Sequence, residues 1–307
     1  MYHRDADPIF AHAPAREARE HCDPVRGRGR KLLGAVMALA ALTAGCGSMQ
    51  VPEVGPISTE RIQSLLASPD RAAADRTNDL RRKPEQLLAF IAPRRNTLAL
   101  DVSAAGGYTS ELLARAIGAG GTVYAQNPPR PAGGPAPAPA APEGNSNPNL
   151  AAPATPPARV TLPDRVRNLA ARGDAARLVV VSQPFENPVP AEVADGKLDM
   201  VTLMFNYHDM GFLGVDRAAM NRAIYRALRP GGVFIVADHS GRAGTGISES
   251  GTLHRVEEAF LRREVEAAGF RLAASGDFLH NPNDPRDRNT PNPPQPKDEF
   301  VLKFVKP

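Results

Sequence analysis

Apolar runs and amphipathic stretches alternate through most of this 307-residue chain. The run at 97–102 (TLALDV) is continuously hydrophobic up to its aspartate, the character of a strand covered on both faces of a parallel sheet. A small glycine-bearing turn, 103–107, follows it. Next comes a helical pattern with Leu112, Leu113, Ala116 and Ile117 on one face and Thr109 or Ser110 placed to cap it. Gly118, Gly120 and Gly121 close the helix, and 122–125 reads as a second strand. This is a βαβ unit whose first turn carries little side-chain bulk. In open parallel sheets such a turn lets a ligand meet backbone N–H groups and a helix N-terminus.

The pattern continues on both sides. Ser58 is placed to cap the first of a set of helices covering 58–92; Pro69-Asp70 interrupts them, and Pro84 suits a first helical turn. Asp75, Arg76, Asp79, Arg82 and Lys83 recur at helical spacing there, the pattern of a solvated, self-paired face or of a lid over a pocket. Further strands are expected at 176–182 (buried), 198–205, 233–237, 270–274 and 299–305, with helices at 164–171, 216–228 and 252–268. Arg229-Pro230-Gly231-Gly232 ends the second of these helices. Strands alternate with helices until the last two, which a Pro/Asn/Asp-rich loop joins like a hairpin. The expected architecture is α/β, a doubly wound sheet with an antiparallel end.

Composition changes this picture in two places. The 31 prolines exceed what one compact domain holds, and many fall in 128–163, a Pro/Ala-rich stretch that reads as a disordered surface insertion. At the other place, a basic cluster at 26–31 precedes an apolar run, 32–44, too short to span a membrane but of signal-peptide length. It ends Leu42-Thr43-Ala44-Gly45-Cys46, which resembles a bacterial lipobox. The resemblance implies cleavage, lipidation of Cys46, and a membrane-anchored protein facing the periplasm or cell exterior, at the outer membrane. The expected organisation is an extension and signal at 1–45, a tether at 46–57 and one domain at 58–307. The net charge is +4, and no basic stripe interleaved with aromatics occurs, so nucleic acid is excluded as a partner.

The order of strand, Asp101, small turn and helix, followed later by LRPGG and an apolar strand, resembles class I S-adenosylmethionine-dependent methyltransferases. The stretches DRTNDLRRKPEQLLAF, VYAQNP, NYHDM, GVDRAAMNRAIYRALRPGG, ADHSG and GTLHRVEEAFLRREVEAAGF together resemble an exported group of them. The resemblance implies a Rossmann-like, mostly parallel seven-stranded sheet with an antiparallel last strand, and S-adenosyl-L-methionine as cofactor. It places Asp101, Ser103, Ala105, Gly106 and Gly107 in the cofactor turn, Gln126 and Asn127 at the ribose, and Ser182 and Gln183 at the adenine. Two features depart from the family. Its loop is Asp-x-Gly-x-Gly-x-Gly, and Ser103 and Ala105 stand at the first two glycines. Its second strand ends in a carboxylate, for which Gln126 and Asn127 are uncharged substitutes.

Candidate chemistry clusters at two further strand ends, with Asn206, Tyr207, His208 and Asp209 after the fourth strand and Asp238 and His239 after the fifth. Methyl transfer to a hydroxyl or amine needs a base, and His208 or His239, oriented by Asp209 or Asp238, is expected in that role. His254 and Arg255, on the following helix, either line the same cleft or face solvent. The acceptor implied is a small or envelope-associated molecule. Two other readings share these residues. A methyltransferase-like fold can serve as a binding module at the envelope. His208, Asp209, Asp238, His239 and His254 can also hold a metal in a hydrolase, although no ligand spacing such as HExxH assigns a metal site.

Overall fold

A computed structural model describes residues 55–129, 160–289, 291 and 295–307. The chain divides into residues 1–50 and 51–307, and all described residues belong to the second unit. The signal, Cys46 and most of the expected insertion therefore lie outside the described residues. Among these residues, no helix is long and apolar enough to cross a membrane.

Three helices lead in: α1 (Thr59–Ala67), capped by the Ser58 side chain, α2 (Ala73–Arg82) and α3 (Pro84–Ile91), with Pro84 in its first turn. β1 (Leu98–Val102), α4 (Tyr108–Ile117) and β2 (Thr122–Asn127) form the βαβ unit. α5 (Leu162–Arg172), β3 (Arg177–Ser182), β4 (Leu198–Met204), the short α6 (Tyr207–Phe212), α7 (Arg217–Ala227) and β5 (Leu228–His239) follow. α8 (Ser250–Leu253), α9 (Glu258–Ala267), β6 (Arg271–Gly276) and β7 (Glu299–Val305) complete the chain.

The seven strands lie in the order β3-β2-β1-β4-β5-β7-β6. β1 pairs in parallel with both β2 and β4, and β7 runs antiparallel between β5 and β6. This is the class I methyltransferase fold expected from the sequence. Successive side chains of each central strand enter opposite cores. Leu100 and Val102 pack with Ile224, Val236 and Phe304, whereas Ala99 packs with Leu113, Ile117 and Met200. The order reverses direction on either side of β1, a topological switch point at which such sheets bind ligands beyond the strand ends.

Several expectations need correction. β3 is an edge strand with alternating exposure, not a buried one, and Val180 is half exposed. Thr109 and Ser110 do not cap α4; both are buried inside it, and Gly107 holds the cap position. The expected insertion ran to Pro163, but Pro163 lies in the first turn of α5, behind a capping box of Thr161 and Asp164. Arg229–Gly232 belong to β5 as an irregularity at its start. The expected helix over 252–268 is broken at His254, whose backbone is left-handed at φ 52°. Val256 there donates its N–H to His239 O and bridges to Ser240, which takes the segment out of helical geometry.

The charged stripe is solvated only in part: Arg76 and Lys83 are exposed, but the others are drawn into the protein. Asp75 is buried, and its carboxylate pairs with both terminal nitrogens of Arg165 at 2.7 Å. Asp79 pairs with Arg71 and accepts from the Tyr108 hydroxyl. The end of α2 closes over the strand ends, where the Arg81 and Arg82 guanidiniums stack 4.5 and 4.8 Å from the Phe205 ring centroid.

Candidate active site

The turn after β1 is wound as a glycine loop would be. Ser103, Ala105 and Gly107 have φ of 57°, 49° and 84°, all left-handed. For Ser and Ala this conformation costs roughly 1–2 kcal/mol each, so neighbouring bonds must hold it. Gln126 Oε1 accepts the Ser103 N–H at 3.0 Å, and Asn127 Oδ1 accepts the Ala105 N–H at 2.8 Å. Asn127 Nδ2 returns a bond to Ala105 O, and Arg165 Nε donates to Gly106 O at 2.6 Å. A Cβ at Gly107 would lie 2.6 Å from Leu162 Cδ1, which would have to move, and the positive φ would strain any side chain there.

These bonds reassign two expected binding residues. Gln126 has no exposed surface, and its Nε2 donates to Gln183 O at 2.6 Å. It braces the turn from below and offers nothing to a ribose. Asn127 is partly exposed and in register with Ser182, which is exposed at the end of β3; Gln183 is partly exposed beside it. Asp101 also lies beneath the turn. It is 2% exposed and accepts from Ser110 Oγ at 2.5 Å and Thr202 Oγ1 at 2.7 Å, tying β1 to α4 and β4. Burial pushes its carboxyl up to about 6 against the two hydroxyl bonds that favour the charge.

Beyond β4, Phe205 is left-handed at φ 59°, a genuine outlier for a bulky residue. Asn206 connects the two halves of the site. Its Oδ1 accepts from Ser103 Oγ at 2.7 Å, and its Nδ2 donates to Asp209 Oδ2 at 2.8 Å. His208 is buried between carboxylates, with Nδ1 2.6 Å from Asp238 Oδ1 and Nε2 3.1 Å from Asp209 Oδ1. Burial alone would lower its pKa, but the Asp238 and Asp209 carboxylates push it up to about 10. Both carboxylates favour the protonated ring, which works against His208 as the expected base.

His239 is poorly suited to that role too. It is 1% exposed, and burial together with the Lys297 and Arg81 charges lowers its pKa well below the ordinary histidine value. Its Nδ1 lies 2.9 Å from Glu299 Oε1, out of line for a hydrogen bond. Tyr207 turns away from the site: its hydroxyl donates to Glu264 of α9 and accepts from Asn221 of α7.

Of the histidines gathered at these strand ends, His254 is the one within reach of solvent. Its side chain is 43% exposed, and its Nδ1 lies 3.0 Å from Asp209 Oδ1. Burial works to raise Asp209, but the bonds and charges of His208 and His254 hold its carboxyl below the ordinary range. Arg255, expected beside His254, is fully buried and paired with Asp284 at 2.9 Å. The structure thus gathers Ser103, Asn206, His208, Asp209, Asp238 and His254. It adds Arg165, Ser110 and Thr202, which sequence reasoning missed because their partners lie far away in the chain or beneath the turn.

No family model matches this chain, and no curated protein matches it. Similar solved structures include a SAM dependent methyltransferase from Aquifex aeolicus. It is 14% identical over 81% of this chain and 99% of that one, with a TM-score of 0.46. Another is a TehB-like SAM-dependent methyltransferase from Corynebacterium glutamicum, 16% identical over 81% and 96% of the two chains, with a TM-score of 0.42.

Proposed function

We propose that this protein is an S-adenosylmethionine-dependent methyltransferase acting on a small or envelope-associated acceptor. The observation that carries the reading is the turn. At the switch point of the sheet, Ser103, Ala105 and Gly107 keep a left-handed backbone that opens α4 without a side-chain cap. The first N–H groups of a helix have no intrahelical acceptors, and its positive end suits the cofactor's carboxylate. Asn127, Ser182 and Gln183 are the groups left for the adenosine. Bound there, the cofactor supplies an electrophilic methyl group on a sulfonium. The chain's part is to hold the acceptor in line with it and to lower the acceptor's proton affinity. Asp209 and His254 are the pair that an acceptor can reach.

Export and lipidation at Cys46 complete the proposal. A non-catalytic binding module on the same fold is favoured by one observation, the use of Gln126 as a brace where the family has a ribose-binding carboxylate. Calorimetric titration with S-adenosylmethionine separates these readings. We expect micromolar binding that Gly106→Glu abolishes. A Cβ at Gly106 meets only Val160 O, at 3.5 Å, so the variant folds but carries a charged side chain on the turn. No binding to the folded native protein at millimolar ligand leaves the binding-module reading.

A further inference from the structure

Two imidazoles and one carboxylate converge where β4 and β5 end. His208, Asp209 and His254 each offer one ligand atom, and the three atoms lie within 4.8 Å of one another. Asp209 Oδ1 is 3.1 Å from the first nitrogen and 3.0 Å from the second. Donor atoms held about 2.0–2.1 Å from a metal sit roughly 3.0 Å apart at octahedral right angles and roughly 3.4 Å apart in a tetrahedron. We propose that His208, Asp209 and His254 form a binding site for a first-row divalent transition metal, with at least one position left for water or a substrate atom.

Three observations support the site. The donor set is two neutral-capable nitrogens and one oxygen, which suits zinc, cobalt or iron and not the all-oxygen shell of magnesium or calcium. The ligands are held from behind as metal ligands usually are. Asp238 Oδ1 lies 2.6 Å from His208 Nδ1, which leaves Nε2 facing the centre, and Asn206 Nδ2 fixes the outer oxygen of Asp209 at 2.8 Å. Asp238 is fixed in turn by the backbone N–H groups of His208 and His239. There is also an entry path, since the side chains of His254 and Asp209 are 43% and 29% exposed while His208 is buried.

The site stands on its own geometry whether or not the cofactor binds. On the methyl-transfer reading, and resting on it, an acceptor oxygen or nitrogen bound to the ion would have its pKa lowered, so that solvent water could take its proton without a free imidazole.

The test is titration of the purified, chelator-treated, untagged protein with Co2+, read as visible ligand-field absorption and by displacement with Zn2+. We expect one saturable equivalent, displaced by one equivalent of Zn2+. His254→Gly keeps the left-handed backbone without strain, and Asp209→Asn keeps the shape of the ligand; each should weaken binding at least tenfold. His280→Gln, at a histidine outside the cluster that pairs with Asp298, should leave binding unchanged. Absence of saturable binding in the folded protein, or binding that both ligand variants leave unchanged, would overturn the proposal. A protein that binds Co2+ but not S-adenosylmethionine would keep this site and lose the methyl-transfer reading.

Discussion

Ala105 and Ser103 sit where only glycine is free of strain, and their neighbours hold them there. Ala105→Gly should therefore relieve the cost of φ 49°. The flexibility glycine adds to the unfolded chain offsets part of the gain, leaving the variant more stable by about 0.5–1 kcal/mol in urea unfolding. An unchanged midpoint would mean that the turn relaxes elsewhere. Asp101 makes a second prediction. Its carboxyl ionises at about 6 in the folded protein, against an ordinary 3.8. Between those values the folded state holds a proton that the unfolded chain has released, so stability falls as pH rises through this window. The total change is about 3 kcal/mol. Asp101→Asn keeps the shape, because the Ser110 and Thr202 hydroxyls can donate or accept. It should remove this decline and stabilise the protein more above pH 6 than below pH 4; a pH-independent difference would contradict the burial argument. The departures of the turn from glycine were legible in the sequence. The left-handed backbone that survives them was not, because it depends on the Gln126 and Asn127 amides more than 20 residues away.

Among the elements, α2, α4 and α5 are locked together by charges. Arg165 of α5 joins Asp75 of α2 and Glu111 of α4 while also bonding Gly106 O in the turn. Asp75→Asn should cost about 2–3 kcal/mol, less than the roughly 3–5 of a stranded buried charge because Glu111 remains paired. It should also weaken cofactor binding, since α5 supports the turn. A loss below 0.5 kcal/mol in denaturant unfolding would show the network to be solvated. Helical spacing revealed the stripe but not its partner, which lies 90 residues further along the chain. A charge pattern alone cannot distinguish water from a buried arginine. The break at His254 was hidden for a similar reason. Leu253, Val256 and Phe260 keep helical spacing through it, while the main-chain bonds of Val256 to the end of β5 decide the geometry.

At the scale of the molecule, the sheet was the most legible part, because continuous apolar strands separated by amphipathic helices admit few arrangements. The misreading of β3 as buried shows the limit: RLVVVS is apolar enough for an interior strand, yet it forms an edge. The site was legible only as a neighbourhood. Strand ends named Asn206, His208, Asp209 and Asp238 together, but which imidazole is charged, buried or reachable depends on the carboxylates packed around each one. The expected anchor has its own test: Cys46→Ser should move the protein from the membrane to the soluble fraction, and an unchanged distribution would remove lipidation from the account.

Hydrogen exchange read by mass spectrometry tests directly whether the cofactor sits on the turn after β1, as proposed. S-adenosylhomocysteine should slow amide exchange in peptides covering 103–110 and 182–183 and leave α9 unchanged. Saturating ligand that leaves the 103–110 peptides unprotected would contradict the claim.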